Sequence, residues 1–463
     1  MATAAATAES APPDRGEFLG HPRGLYLLFF TEMWERFSYY GMRSLLVLYM
    51  VNHLFIRPDV GQRVLGFTAI KGMLEGVFGP LGPQPLSSQI YGLYTGFVYL
   101  TPFFGGMLAD RVLGQRKTVI LGAVLMAIGH FLMASEQLFF PALMFMILGN
   151  GAFKPNISTQ VGLLYKQADP RRDGAFTIFY MGINLGAFFS PLVCGTLGQT
   201  VGWHWGFGAA GVGMVLGLVI YLLGQKLLAP DLLAARKAAT PVNAPKTKMT
   251  GDEWMRVIGL MVICALVALF WGIYEQQGNT MQLWADKNTN WNFFGFTIPS
   301  TWYQAMNPFM IFLFAPLLDV FWRWQSKRNQ QPASVTKMAF GCFMTGISYV
   351  VMILASHGMD PEAKRSVMWL VSTTVIITLG ELYVSPIGLS FVTKVAPARM
   401  VSMLMGMWFL SNFFGNYLAG YLGTFWEKMA REQFFWMLTT LGVTAGLLMF
   451  VINRPLRKAT GNH

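Results

Sequence analysis

Seven ionisable side chains lie inside long apolar stretches of this chain, where they could bind a charged ligand or carry a proton. They are Glu32, Glu35, Arg36, Arg43, Lys154, Glu275 and Glu381. A charge at the centre of a membrane costs roughly 3 kcal/mol unless it faces a partner or a water-filled cavity. We therefore interpret these residues as a functional site, with structural ion pairs between helices as the alternative.

The densest group of charges runs from Glu32 to Arg43 in the first apolar stretch. At about 100° per residue of helix, the ionisable residues of this segment and Tyr39 fall within an arc of roughly 100°. The other residues of the segment, such as Phe37 and Met42, point elsewhere. A polar stripe on an otherwise apolar helix predicts a bundle that lines a polar cavity.

The whole chain has the composition of a membrane protein. Of its 463 residues, 54% are hydrophobic and only 12% are charged, and the mean hydropathy is +0.44. Soluble domains have about 25% charged residues, so a water-soluble globule is excluded. Cys194, Cys264 and Cys342 each lie in an apolar run, which predicts no disulfide framework.

Runs of about 20 apolar residues predict twelve transmembrane helices. Their approximate bounds are 24–52, 88–110, 117–135, 139–165, 175–200, 203–228, 254–284, 300–322, 335–357, 366–395, 399–426 and 433–453. The predicted fold class is an all-α polytopic membrane protein with two six-helix bundles. The predicted domains are a cytoplasmic N-terminal segment (1–23), a first bundle (24–228), a cytoplasmic linker (229–251), a second bundle (252–455) and a cytoplasmic tail (456–463).

The distribution of basic residues indicates the orientation in the membrane. Most of the 34 Lys and Arg residues fall in segments on one side of these spans, so the positive-inside rule places both termini in the cytoplasm. The net charge of +12 then follows from topology, and nucleic-acid binding is not indicated. The six histidines form no metal-binding motif, and no nucleophile elbow or P-loop occurs, so we expect neither a metal site nor an enzyme.

Several motifs occur along the chain in the order typical of one transporter family. E-x-x-E-R-F-x-Y-Y-G begins at Glu32, F-Y-M-G-I-N ends at Asn184, and G-E-L-Y-V-S begins at Gly380. These motifs resemble those of the proton-coupled oligopeptide transporter family, and the resemblance extends over about residues 23–455. The G-G-M-L-A-D-R sequence that begins at Gly105 resembles a loop signature of the wider major facilitator superfamily.

The resemblance implies proton-driven symport of di- and tripeptides into the cell by alternating access. Opposite charges in a central cavity would bind the two peptide termini, and the protein would act as a monomer, with protons as coupling ion and no cofactor. The second helix lacks the histidine of animal members, which favours a bacterial inner membrane. The alternatives are a carrier for nitrate or a drug, and a substrate sensor. Nitrate needs no amine acceptor such as Glu381, and a sensor is expected to carry a signalling domain.

The resemblance also implies roles for individual residues. Those implied in proton coupling and gating are Glu32, Glu35, Arg36, Arg43, Lys154 and Glu275. Those implied in substrate binding are Arg36, Tyr39, Tyr40, Tyr99, Lys154, Asn184, Trp271, Asn307, Glu381, Ser385 and Trp408.

The charged residues of these sets have the most specific expected roles. Arg36 and Lys154 are expected to bind the peptide carboxylate, and Glu381 the amino terminus. Arg43 and Glu275 are expected to close the outer mouth until Glu275 takes a proton. Asn184 and Asn307 have helix–helix contact as an alternative role, and Trp408 has packing as its alternative.

Overall fold

Helices make up nearly all of the regular structure of this protein. The computed structural model describes residues 16–166, 169–231, 233, 250–396 and 400–460. Within these residues, twelve helices are 18 or more residues long. This confirms the prediction of an all-α polytopic membrane protein.

The helices of the first half begin soon after the described N-terminal end. They are α1 (Arg23–Tyr49), α2 (Val60–Arg63), α3 (Phe67–Phe78), α4 (Pro83–Leu108), α5 (Gln115–Leu132), α6 (Phe139–Leu163), α7 (Arg172–Ser190), α8 (Thr196–Thr200) and α9 (Trp203–Leu223). Those of the second half are α10 (Gly251–Tyr274), α11 (Thr280–Lys287), α12 (Tyr303–Lys327), α13 (Ser334–Ser356), α14 (Met368–Val395), α15 (Val401–Gly423) and α16 (Arg431–Thr460).

The strands have only two residues each. They are β1 (Glu17–Phe18), β2 (His21–Pro22), β3 (Thr289–Asn290), β4 (Asn292–Phe293), β5 (Phe296–Thr297) and β6 (Arg365–Ser366). β1 pairs with β2 and β4 with β5, both antiparallel, while β3 and β6 pair in parallel. Pairs this short connect loops and add no layer to the fold.

The helices agree closely with the predicted spans. Among the described residues, eight helical segments are long and apolar enough to cross a membrane by length and composition alone. α1 is not among them, because it carries Glu32, Glu35 and Arg36 near its middle. The other residues of α1 are mainly apolar, and its length of 27 residues is sufficient for a helix that crosses a membrane.

The structure departs from the predicted spans mainly at one interruption. The span predicted at 254–284 contains two α-helices, because α10 ends at Tyr274 and a 3₁₀ turn, Glu275–Gly278, separates it from α11. The segment 53–87, between the first two predicted spans, contains α2 and α3. Most of the predicted linker (229–251), residues 397–399 and the ends of both predicted terminal segments lie outside the described residues.

The chain packs into two compact units. The first comprises Met1–Met42 and Leu100–Pro245, and the second comprises Arg43–Tyr99 and Lys246–His463, in each case through their described residues. The segment 43–99 groups with the second half of the chain in this division, and the bounds of the two predicted bundles stay a prediction. Within the second unit α4 packs closely on α15, where a side chain at Gly92 would overlap the backbone of Gly420.

Within the first unit, small residues bring helix backbones together. α5 lies against both α6 and α9. A side chain at Gly122 of α5 would meet the backbone of Gly149 in α6, so the two helices can approach closely only without Cβ atoms there. The core of this unit includes Val119, Met126 and Phe153, all buried.

The loops of the first unit are held together by charged side chains. Arg116, near the start of α5, donates hydrogen bonds of 2.6 Å to the carbonyl oxygens of Leu228 and Ala229. Arg171 donates to both carboxylate oxygens of Asp169 and, from Nη1, to Glu17 at 2.8 Å. The hydrogen bonds from Arg171 lower the pKa of the Asp169 carboxyl.

The second unit is organised around two groups of packed helices. α13 lies against α14 and α16, and α10 lies against α15. α12 lies against α14, so that the middle of α14 faces α12 on one side and α13 on another. This arrangement positions the functional side chains of α10, α12 and α14.

Candidate functional site

The charges of α1 form a buried cluster in the first unit, which we call the Arg36 cluster (Glu32, Glu35, Arg36 and Asn150). Arg36 Nε lies 2.9 Å from Glu32 Oε1 and 2.5 Å from Glu35 Oε2. Asn150 of α6 donates from Nδ2 to Glu35 Oε1 at 3.1 Å. All four side chains are buried. The single face predicted from the helical period therefore brings these charges together.

Lys154 adds a second positive charge near this cluster. It is half-buried on α6, one helical turn after Asn150, and lies within electrostatic reach of Glu32 and Glu35. Two carboxylates, Arg36 and Lys154 have no net charge when all are ionised. A ligand that brings a carboxylate would therefore compete with Glu32 and Glu35 for the two cations.

Arg36 retains a donor that these contacts do not use. Its Nη2 is buried and has no hydrogen-bond partner among the described residues. The Tyr39 ring centroid lies 5.5 Å from Arg36 Cζ, and Tyr40 packs edge-on against Tyr39 at 5.1 Å. A guanidinium with a spare N–H beside two aromatic rings is suited to binding a carboxylate next to an apolar group.

Arg43 and Glu275, the two residues that the motif resemblance paired, form a buried ion pair in the second unit. The pair joins the end of α1 to the 3₁₀ turn that follows α10. Arg43 Nε also donates to the Tyr91 hydroxyl at 2.7 Å. Gly278 permits this approach, because a side chain there would overlap the Tyr91 hydroxyl.

Glu381 lies in a third group, the Glu381 group (Tyr274, Asn307, Thr378 and Glu381). Its Oε2 accepts hydrogen bonds from the Tyr274 hydroxyl at 2.7 Å and from Asn307 Nδ2 at 3.0 Å. Asn307 Nδ2 also lies 3.0 Å from Thr378 Oγ1. In the part of the chain that the structure describes, no cation forms an ion pair with Glu381. Among the described residues its hydrogen bonds come from neutral donors, and Arg43 acts on it only through longer-range electrostatics.

The remaining predicted substrate-binding residues have more ordinary surroundings. Asn184 donates to the Tyr180 carbonyl of its own helix at 3.0 Å, and Trp271 packs edge-on against Tyr274 at 5.3 Å. Trp408 fills the space left by the absent side chain of Gly388. Tyr99 and Ser385 are half-buried, and Ser385 follows Glu381 by one helical turn. Their roles in binding remain predictions.

Three residues that contact the charged groups were not assigned a role from the sequence: Tyr91, Asn150 and Tyr274. Tyr91 and Tyr274 lie in the predicted spans 88–110 and 254–284, and Asn150 precedes Lys154 by four residues. Residues four apart share a helix face. That spacing could have placed Asn150 beside the charges, whereas nothing in the sequence indicates that Tyr91 contacts Arg43 or that Tyr274 contacts Glu381.

The fold and these buried charges define a class of protein, the polytopic membrane transporters. The chain also matches the model of the POT family over residues 116–230 and 227–437. The chain belongs to the POT family, which is a family of transporters. No group of three His, Cys, Asp or Glu among the described residues is placed to hold a metal ion.

Individual relatives agree with this assignment. The chain is 34% identical to the peptide transporter YePEPT of Yersinia enterocolitica, with 90% of each chain covered. It is 32% identical to a di-/tripeptide transporter of Lactococcus lactis, over 96% of this chain and 98% of the relative. A crystal structure of a peptide transporter POT in complex with sulfate is 33% identical with a TM-score of 0.83, covering 98% and 99% of the two chains.

Proposed function

We propose that this protein carries di- and tripeptides into the cell together with protons, by alternating access. Family membership and relatives named as peptide transporters support peptide as the substrate class. The proposal includes a location in a bacterial inner membrane with both termini in the cytoplasm, and a monomer that needs protons but no cofactor. The orientation of the termini is supported by the basic residues, most of which fall in segments on one side of the predicted spans.

The observation that carries the proposal is the set of neutral donors around Glu381. A half-buried carboxylate such as that of Glu381, which forms no ion pair among the described residues, retains strong affinity for a cation. The ammonium of a peptide would supply the missing charge, and Tyr274 and Asn307 would keep the carboxylate oriented. Nitrate has no group that would use this acceptor, so the Glu381 group favours an amine-bearing substrate over nitrate.

The carboxylate end of the peptide is assigned to Arg36 and Lys154. The unused Nη2 of Arg36 is a suitable donor for it. A peptide carboxylate would displace Glu32 or Glu35 from part of their contact with Arg36, and a proton on the displaced glutamate would reduce the resulting repulsion. Binding of the peptide and uptake of a proton would thus favour each other.

Glu275 is the proposed coupling residue, and its partner Arg43 the gate. Protonation of Glu275 would remove the charge that holds Arg43 and leave Arg43 with the neutral Tyr91 hydroxyl. In the predicted orientation this pair lies toward the outer side. Loss of the ion pair would therefore favour opening toward the outside, which is the step that admits peptide and proton together.

Uptake by reconstituted protein tests the proposed function directly. We expect purified protein in liposomes to accumulate a radiolabelled dipeptide when the interior is alkaline, and only to equilibrate it without a gradient. An N-acetylated dipeptide amide of the same side chains, which has neither terminal charge, serves as the control substrate. Gradient-dependent uptake of nitrate, or peptide binding without any uptake, would contradict peptide symport.

The coupling assignment has its own test in the Glu275→Gln variant. We expect this variant to bind peptide and to exchange it across the membrane at equal pH, but to lose accumulation driven by a proton gradient. Asp286→Asn changes another acidic residue of the same region, one that contacts Asn52 and Ser300, and is the matched control. Accumulation by Glu275→Gln would place coupling elsewhere, with Glu32 and Glu35 as the next candidates.

A further inference from the structure

Lys337 is a buried cation of the second unit that the proposed transport mechanism does not use. It lies in the first turn of α13, and only 7% of its surface is exposed. Its backbone N–H donates to the Ala333 carbonyl, but among the described residues its ammonium forms no hydrogen bond or ion pair and lies 4.8 Å from the ring centroid of Trp322. Buried lysines are normally paired, because an ammonium is only a donor and loses its hydration on burial.

The surroundings of Lys337 add further donors and positive charge. Trp322 Nε1 is buried and has no hydrogen-bond partner in the described part of the chain. Lys394, at the end of α14, is close enough to Lys337 to repel it. Ala333 precedes α13 and supplies no side-chain cap, so the first N–H groups of the helix add partial positive charge. Trp322, Lys337 and Lys394 thus form a corner of the unit with donors and cations, and among the described residues no carboxylate is recorded in an ion pair with either lysine.

The depth of the corner matches the surface of a membrane. Trp322 follows Tyr303, the first residue of α12, by 19 residues, which is roughly 28 Å of helix. The hydrocarbon core of a bilayer is about 30 Å thick. Trp322 and Lys337 are therefore expected at the level of the lipid headgroups, on the side where the predicted orientation places the cytoplasm.

We propose that Trp322, Lys337 and Lys394 bind a phosphate group, from the headgroup of an anionic phospholipid or from a free phosphate ion. Phosphate oxygens accept hydrogen bonds and carry a negative charge that would neutralise the two lysines. The indole N–H of Trp322 supplies a neutral donor beside the ammonium of Lys337. Bound phosphate would join the ends of α12, α13 and α14 and stabilise this side of the second unit.

Heat denaturation of the purified, delipidated full-length protein tests the proposal. Dioleoyl phosphatidylglycerol, dioleoyl phosphatidylcholine and sodium phosphate are titrated separately, with sodium chloride matched to the ionic strength. We expect phosphatidylglycerol to raise the Tm of the wild-type protein and phosphatidylcholine to leave it unchanged. A rise with phosphatidylglycerol alone identifies a lipid headgroup, and an equal rise with sodium phosphate identifies the free ion.

Substitutions then assign the effect to the corner. We expect Lys337→Met, which keeps the length of the side chain, to raise the half-maximal concentration about tenfold, as loss of a charge-assisted hydrogen bond implies. Lys337→Arg should preserve the response. Lys428→Met removes an exposed lysine of the predicted outer side and is the matched control.

The result that overturns the proposal is an unchanged titration. A Lys337→Met protein with the wild-type half-maximal concentration would show that the lipid acts through general surface charge. If this variant does not fold, Trp322→Phe removes only the indole donor and Lys394→Met only the second cation. A wild-type response in both of these variants, or no response in the wild-type protein, also overturns the proposal.

Discussion

Glu35 in the first unit and Glu381 in the second are both carboxylates on membrane helices, but their partners differ in charge. Glu35 lies 2.5 Å from Arg36 and accepts a hydrogen bond from Asn150. Glu381 accepts hydrogen bonds from the phenol of Tyr274 and the amide of Asn307. The first carboxylate is neutralised within the protein, whereas the second is oriented but not neutralised.

This difference indicates two distinct functions for a carboxylate on a membrane helix. The Arg36 cluster balances its charges internally, so a ligand can enter only by exchange with a glutamate. The Glu381 group forms no ion pair among the described residues, so a ligand cation could pair with it directly. Changes in the first should therefore alter stability and coupling, and changes in the second should mainly alter affinity for the amine of a substrate.

Arg36→Met is expected to have the largest effect, because it leaves Glu32 and Glu35 buried without their shared cation. Breaking a buried pair in this way typically costs about 3 to 5 kcal/mol of unfolding free energy. The measurement is denaturant or heat unfolding in detergent. The combined variant Glu32→Gln, Glu35→Gln, Arg36→Met should recover most of that stability yet still fail to transport peptide. Recovery of transport as well would make the cluster purely structural.

Lys154→Ala is expected to abolish proton-driven uptake in liposomes, because it removes a cation assigned to the peptide carboxylate. The alternative is that Lys154 only neutralises a glutamate of the cluster. A second substitution, Glu32→Gln or Glu35→Gln, would then remove both halves of the pair and restore uptake. Such a rescue would count against direct contact between Lys154 and the substrate. It would show that Lys154 serves only to neutralise a glutamate of the Arg36 cluster.

Glu381→Gln is expected to weaken dipeptide binding by more than tenfold, since a charge-assisted hydrogen bond contributes about 1.5 to 3 kcal/mol. Binding of the N-acetylated dipeptide, which has no ammonium, should change far less. Isothermal titration of both ligands gives the two ratios. Equal losses for the two would show that Glu381 does not receive the amino terminus, and the contrast between Glu35 and Glu381 would lose its functional meaning.

Tyr274→Phe is expected to have the smallest effect of the four. It removes the hydrogen bond of one neutral donor to Glu381 and leaves the one from Asn307. Because Tyr274 orients Glu381 and is not assigned a contact with the substrate, we expect a loss in affinity of only roughly two- to tenfold. Phe270→Leu, at the adjacent stacked ring of α10, is the matched packing control. A loss as large as that of Glu381→Gln would mean that Tyr274 contacts the substrate itself.

Patterns within single segments predicted most of the helices and one of the clusters. The spans follow from apolar length, which each segment carries in its own sequence. Glu32 and Arg36 are four residues apart, so helical geometry alone brings them together. The interruption at Glu275–Gly278 was not predicted, because the hydropathy of an apolar run does not distinguish one continuous helix from two consecutive helices.

The sequence alone determined the class of protein, the helices and the residues whose charges need partners. Only the tertiary structure decided which partners those were, because contacts such as that between Arg43 and Glu275, 232 residues apart, depend on how whole helices pack. The motif resemblance predicted that pair. No local pattern indicated that Tyr274 and Asn307 contact Glu381, or that Lys337 forms no ion pair among the described residues. Helix formation depends on neighbours in the chain, whereas the pairing of a buried charge depends on packing between distant segments.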